Sequence, residues 1–252
     1  MIANISQIYR YPFKGLSAEA LTQIDLAVGQ GIPFDRYFAL AHENTAFDPI
    51  SPQYFSKIHY LMLMKNEKLA ALDTVYDTTS GFFTINYQGQ TVVHENLLTS
   101  QGITATTDFF VTYLTSEIQG VPKLLQAPEN YMFSDVDAKV LSFINLASVR
   151  ELEKVMAVKI EPLRFRANIY FNLEPAWTEN NFINQEFNIG SVRFRVLKLT
   201  ERCAATNVNP LTAQRDLTIP QTLYKNYQHR HLGFYAQVIQ AGKMCMTDKI
   251  TF

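Results

Sequence analysis

The sequence predicts an α+β, β-rich fold, barrel-like with a few helices. Apolar and polar residues alternate with the two-residue period of half-buried strands in several separated stretches. Helical three- and four-residue steps occur in only two places, and no internal repeat, low-complexity tract or long linker interrupts the chain. Its 252 residues suffice for one large domain or two small ones.

Taken in order, Ile24, Leu26 and Val28 alternate with Gln23, Asp25 and Ala27 as in a strand. Phe83, Ile85 and Tyr87 repeat the pattern before a turn at Gln88-Gly89 and a return strand from Thr91 to Val93, so the first third reads as a β meander. Phe110, Val111, Leu114 and Ile118 predict a helix over 107–118. Gly120-Val121-Pro122 then marks a boundary, dividing the chain into 1–122 and 123–252. A second helix is predicted from Ser148, where Ser148 and Glu151 have capping-box spacing and Val149, Leu152, Val155 and Met156 supply one apolar face. Strands follow over 168–173, 191–199, 235–239 and 249–252, with Val192, Phe194 and Val196 inward and Arg193 and Arg195 outward.

Composition narrows the function. The 47% hydrophobic and 18% charged content fits a soluble globular chain and argues against disorder. With a net charge of -1 and no local basic cluster along the sequence, nucleic acid is not expected as a partner. The apolar runs fall short of the roughly 20 residues a membrane span needs, so an integral membrane protein is not expected. The N-terminus lacks a basic segment followed by an apolar one, and the expected location is cytoplasmic. Two cysteines do not make a disulfide framework.

Chemistry concentrates on few residues. Cys203 follows Arg202, and a cation beside a thiol favours the thiolate, the nucleophilic and metal-binding form. Free cysteine also serves as a small buried apolar residue, so both readings stay open, while Cys245 between two methionines reads as packing. No C-x-x-C pair, H-E-x-x-H or phosphate-binding glycine loop occurs, and His229 with His231 alone does not make a metal site. Arg164-Phe165-Arg166 and the Tyr9–Lys14 stretch place cations where they can bind an anion or simply cover apolar surface.

The motifs YPFK near the N-terminus, Asp35-Arg36, RFRANIYF over 164–171 and TERCAATNVNP over 200–210 occur in one order along the chain. Together they resemble the MOSC superfamily, and more closely its two-part proteins with an N-terminal MOSC-associated β domain, such as the amidoxime-reducing component and N-hydroxylaminopurine-resistance proteins. The resemblance implies a β-barrel-like domain over 1–122 and a MOSC β-barrel over 123–252. It implies a molybdenum cofactor, a molybdopterin holding Mo, with Cys203 as the protein's ligand to the metal. Cofactor-binding residues carried over from the motifs are Lys14, Arg36, Ser148, Arg166 and Asn168, and Arg202 is counted with them. Ser148 also reads as a helix cap and Arg36 as an ion-pair partner of Asp35. Gly15, Ala167, Glu201 and Asn209 depart from the family's usual Ser, Pro, small polar residue and Asp.

The leading expectation is an oxidoreductase that reduces N-hydroxylated or related N- or S-oxygenated small molecules. Its electrons are expected from a separate ferredoxin-, flavin- or haem-type protein. The alternatives are a sulfur carrier using a persulfide on Cys203 and a non-catalytic cofactor-binding module.

Overall fold

A computed structural model describes residues 1–118 and 120–252. In chain order its strands and α-helices are β1 (Ile2–Arg10), β2 (Glu19–Leu21), β3 (Gln23–Leu26), β4 (Phe38–Ala41), β5 (Asp73–Tyr76), β6 (Phe82–Tyr87), β7 (Gln90–Asn96) and α1 (Ser100–Leu114). Then come β8 (Lys123–Gln126), β9 (Leu141–Asn145), α2 (Leu146–Met156), β10 (Ile169–Asn172), β11 (Glu186–Ile189), β12 (Val192–Glu201), α3 (Ile219–Tyr227), β13 (His231–Gln240), β14 (Gly242–Cys245) and β15 (Lys249–Thr251). The fold is α+β and strand-rich, as the alternation predicts.

Seven strands close a barrel in the order β10, β9, β13, β12, β11, β15 and β1, with β1 returning to β10. Strand β1 closes it by pairing with β15 through its first residues and with β10 through Asn4 to Ile8. Strand β3 pairs with β14, so the first three strands of the expected 1–122 segment are all joined to the barrel or its extensions. Inside, Phe143, Phe171, Phe187, Phe194 and Phe234 pack with Ile8, Val196 and Ile250, and the Phe143 and Phe234 rings stack 5.0 Å apart. On β12, Val192, Phe194 and Val196 are buried and Arg193 and Arg195 exposed, in the alternation read from the sequence.

A second core lies in the first half of the chain. The rings of Phe13, Phe38 and Phe83 stack at 4.6 and 4.2 Å and pack with Leu40, Ile85, Phe110 and Leu114. The β5–β6–β7 meander covers it, and its β6–β7 hairpin turns at Gln88 and Gly89, both at positive φ, as a two-residue hairpin with right-handed strand twist requires. Helix α1 begins before the predicted 107–118 span, where the Thr99 side chain accepts from the Gly102 N–H, and ends at Leu114, inside it. Helix α2 also starts early: Asn145, and not Ser148, is its N-cap, its side chain accepting from the Ala147 N–H at 3.1 Å.

Inside β13, Gly233 has φ +77°, and a Cβ there would lie 2.1 Å from the Phe143 carbonyl oxygen of β9. Gly233→Ala combines that backbone clash with a conformation L side chains rarely adopt. It should destabilise the protein by about 3 kcal/mol or more, read as a lowered urea midpoint.

Candidate functional site

Strand β12 runs out of the barrel and delivers Thr200, Glu201, Arg202 and Cys203 to one end of it. The Cys203 carbonyl accepts from the Thr206 N–H at 3.0 Å and from its hydroxyl at 2.8 Å, which fixes the turn after the strand. The half-buried Cys203 faces a cavity of about 570 Å³ lined by both halves of the chain. From the first half come Lys14, Gly15, Arg36, Lys57 and the Met62–Met64 segment. The barrel side adds Arg164, Arg166, Asn168, Lys198 and the Thr200–Cys203 strand end.

Seven cations and only two carboxylates, Asp135 and Glu201, line this cavity in a chain whose net charge is -1. The sequence shows no basic cluster because these cations lie scattered from position 14 to position 202; the fold assembles one. Such a concave surface of one sign favours anions.

Three of the expected residues form the floor. Arg36 and Arg166 both lie over the Tyr11 ring, 4.6 and 4.4 Å from its centroid. Each has φ near +50°, and each donates to a backbone carbonyl: Arg36 Nη2 to Arg166 O at 2.8 Å, Arg166 Nη1 to Leu16 O at 2.5 Å. Arg36 also pairs with Asp35, whose other oxygen accepts from the Tyr11 N–H at 2.8 Å. This ion pair is buried, not the surface pair the sequence allowed. Burial lowers Arg166 from the ordinary guanidinium value, and the charge of Arg36 adds to that. Lys14 is buried; it donates to Phe133 O at 2.9 Å and pairs with Asp135. Partial desolvation pushes the half-exposed Asp135 carboxyl up, but the charge and hydrogen bond of Lys14, with Lys57 and Arg36 behind it, hold it down at about 2.

The other expected residues are tied into the scaffold by their side chains, Asn168 and Arg202 in the cavity lining and Ser148 outside it. Asn168 accepts from Ser142 N and Oγ at 3.0 Å each and donates to Tyr9 O at 3.1 Å, tying β1, β9 and β10 together at the cavity edge. Arg202, buried over the Phe165 ring, donates to Leu232 O at 2.8 and 2.6 Å and to Phe165 O at 3.0 Å. Ser148 does not line the cavity. It is fully buried in α2, donating to Glu179 at 2.6 Å and accepting from the Trp177 N–H at 2.8 Å. Burial pushes the Glu179 carboxyl up, against the hydrogen bonds of Ser148 and Asn145. Ser148→Ala leaves a buried carboxylate and a buried N–H short of a partner. It should lower stability by about 1–3 kcal/mol in urea denaturation while leaving ligand binding in the cavity unchanged.

Sequence reasoning missed Lys57 and Asp135. Lys57 lies in a short 3-10 turn, Lys57–His59, and lines the cavity beside Cys203. Burial lowers its ammonium, but the Cys203 sulfur, Asp135 and Tyr54 raise it more, and it stands above the ordinary lysine value. Nothing in its local sequence marks it, since its partner is 146 positions away. Among the described residues no three His, Cys, Asp or Glu side chains form a metal cluster; His229 and His231 stack with centroids 5.4 Å apart.

The unusual residues each have a local reason. Gly15 has φ +88°, a left-handed turn beside the cavity that glycine adopts freely. The Ala167 N–H donates to the Tyr170 hydroxyl at 3.0 Å, a bond proline cannot make. Glu201 lines the cavity but is exposed, with Arg230 at 4.0 Å as a counter-charge. Asn209 donates to Asp216 at 2.8 Å and accepts from the Leu211 N–H at 2.9 Å, capping the loop after Cys203.

Among the described residues no helix is long and apolar enough to cross a membrane. Residues 130–251 match the MOSC domain family. A 93-residue stretch is 32% identical to the molybdenum cofactor sulfurase of Homo sapiens, covering 36% of this chain and 10% of that protein, so the match spans a tenth of the relative's length. Among solved structures, the YuaD protein of Bacillus subtilis aligns over 100% of this chain and 97% of its own at 11% identity and a TM-score of 0.46. YiiM from Escherichia coli aligns over 44% of this chain and 52% of its own at 18% identity and a TM-score of 0.31. The strand end that carries Cys203 and the barrel strands from β9 to β15 all fall within residues 130–251, the segment that matches the MOSC domain family.

Proposed function

We propose that this protein binds a molybdenum cofactor and reduces N-hydroxylated or related N- or S-oxygenated small molecules, with electrons from a separate redox protein. The observation that carries this reading is the convergence of Cys203 with Lys14, Arg36 and Arg166 on one cavity of about 570 Å³, a volume suited to a small molecule. The donor set fits an anionic, metal-bearing group. A thiol suits a soft metal centre, and the guanidinium and ammonium groups suit a phosphate. Three buried polar atoms of cavity-lining residues, Arg164 Nε, Arg166 Nη2 and Thr200 Oγ1, have no partner among the described residues, as expected where a polar ligand belongs.

In this reading Cys203 holds the metal, Arg166 and Lys14 meet the anionic part of the cofactor, and Arg36 fixes the floor against which it lies. Arg202 and Asn168 keep the two barrel edges in register below it. Lys57 holds positive charge beside the Cys203 sulfur. When bound, the molybdenum supplies the oxygen-atom abstraction, and the chain supplies binding, orientation and a cation-lined environment. The test is metal analysis and pterin fluorescence on protein produced in a cofactor-competent host, followed by benzamidoxime reduction with an artificial electron donor. Stoichiometric molybdenum and pterin with turnover support the reading; their absence removes it.

A further inference from the structure

The loop that follows Cys203 is held from two sides. From the barrel side, Arg164 pairs with Asp216 at 2.7 Å and donates to Asn207 O at 3.1 Å. From the loop itself, Arg215 reaches into the first half of the chain. Its Nη2 lies 2.9 Å from Leu63 O, 2.8 Å from Met64 O and 2.9 Å from a Glu67 carboxylate oxygen. Its Nη1 lies 3.2 Å from the carbonyl of Ala204, the residue after Cys203. Among the described residues, Leu63 O and Met64 O accept hydrogen bonds from no other group. One guanidinium thus ties the cysteine turn to the Met62–Met64 segment, which forms one apolar wall of the cavity.

We propose that Arg215 is a positioning residue: it pins the Met62–Met64 wall over Cys203, and this wall, supplied by the first half of the chain, selects substrates by their apolar part. The proposal rests on Cys203 as the reactive centre of the cavity. A guanidinium suits the task because its rigid fork spreads donors over separate nitrogens, so Nη1 meets the Ala204 carbonyl while Nη2 meets the Leu63, Met64 and Glu67 oxygens, where a lysine offers one nitrogen. The wall it holds contains two thioether side chains, which adjust their shape to apolar groups at little cost. The site therefore favours small molecules with an apolar or aromatic body over wholly ionic ones, the polar end being taken by the cations of the same cavity.

The test measures access to Cys203 in the full-length, cofactor-free protein with two thiol reagents of different size, iodoacetamide and fluorescein maleimide, at one pH. In the native protein the wall holds back the larger reagent. Arg215→Ala should raise the rate with the larger reagent about tenfold and change the smaller one little, since losing charge-assisted hydrogen bonds shifts a local opening equilibrium by that order. Arg215→Lys should recover part of the size selectivity, and Glu67→Gln, which leaves both carbonyl bonds in place, should keep most of it. An unchanged rate ratio in folded Arg215→Ala overturns the proposal, as does an equal rise for both reagents with a lowered melting temperature and no recovery by lysine. Should the alanine variant not fold, Arg215→Lys decides: a raised ratio supports the pin and an unchanged one overturns it. Failure of the cofactor reading shows separately, as missing molybdenum and pterin, and leaves the labelling ratio as it is.

Discussion

Cys203→Ser should abolish molybdenum-dependent reduction and leave the fold intact. The fold survives because Cys203 is half-buried and belongs to none of the apolar clusters; its turn is held by the Cys203 carbonyl, which the substitution keeps. Activity is lost because a serine hydroxyl is a far poorer ligand for a soft metal at neutral pH. Far-UV circular dichroism, metal content and benzamidoxime turnover check the two halves of the expectation separately. Cys245→Ser is the control: Cys245 sits on β14 beside β3, away from the cavity, and its change should leave turnover unaffected. Undiminished turnover in Cys203→Ser removes the ligand role. Incubating cofactor-free protein with a cysteine desulfurase and cysteine provides the contrasting outcome. One sulfur added to Cys203, seen by intact mass and lost on reduction, would replace the reductase reading with that of a sulfur carrier.

The parts of this molecule legible in its sequence are those written in local periodicity. The β12 alternation, the Gln88-Gly89 hairpin and the strand-rich class follow from side-chain spacing, and the structure reproduces them. Helix boundaries were less legible, because a cap is a matter of one hydrogen bond: Asn145 captures the start of α2, although Ser148 and Glu151 have the right spacing for a box. Barrel closure was not legible at all. The pairing of Asn4 with Asn172 joins residues 168 positions apart, and no window of sequence contains both. The site divides in the same way. Motifs marked Cys203, Lys14, Arg36 and Arg166, whereas Lys57, Asp135 and Arg215 act through partners distant in sequence and carry no local mark. Ser148 shows the reverse case, a residue within a motif whose hydroxyl the fold spends on a buried carboxylate.

The cationic floor should divide into a binding residue and a scaffold residue when each is removed. Among the described residues, Arg166 Nη2 is buried without a partner, and the one side-chain hydrogen bond of Arg166 goes to a backbone carbonyl, so no carboxylate depends on it. Arg166→Ala should therefore weaken cofactor binding about tenfold or more, the loss of a charge-assisted hydrogen bond worth about 1.5–3 kcal/mol, with a smaller change in stability. Arg36 is placed differently. Its partner Asp35 is almost wholly buried, and removing the guanidinium leaves that carboxylate with the Tyr11 N–H but no counter-charge. Arg36→Ala should therefore cost about 3–5 kcal/mol of folding stability, and its effect on binding is read only after that loss is accounted for. Lys14→Ala falls between them, because the Asp135 it releases is half-exposed and water can solvate it. Titrating apo-protein with cofactor and measuring urea unfolding on the same three variants separates the two properties. Unchanged affinity in Arg166→Ala, with its fold intact, means that the orphaned donor meets no ligand, and the cavity floor is then a structural arrangement of cations around Tyr11.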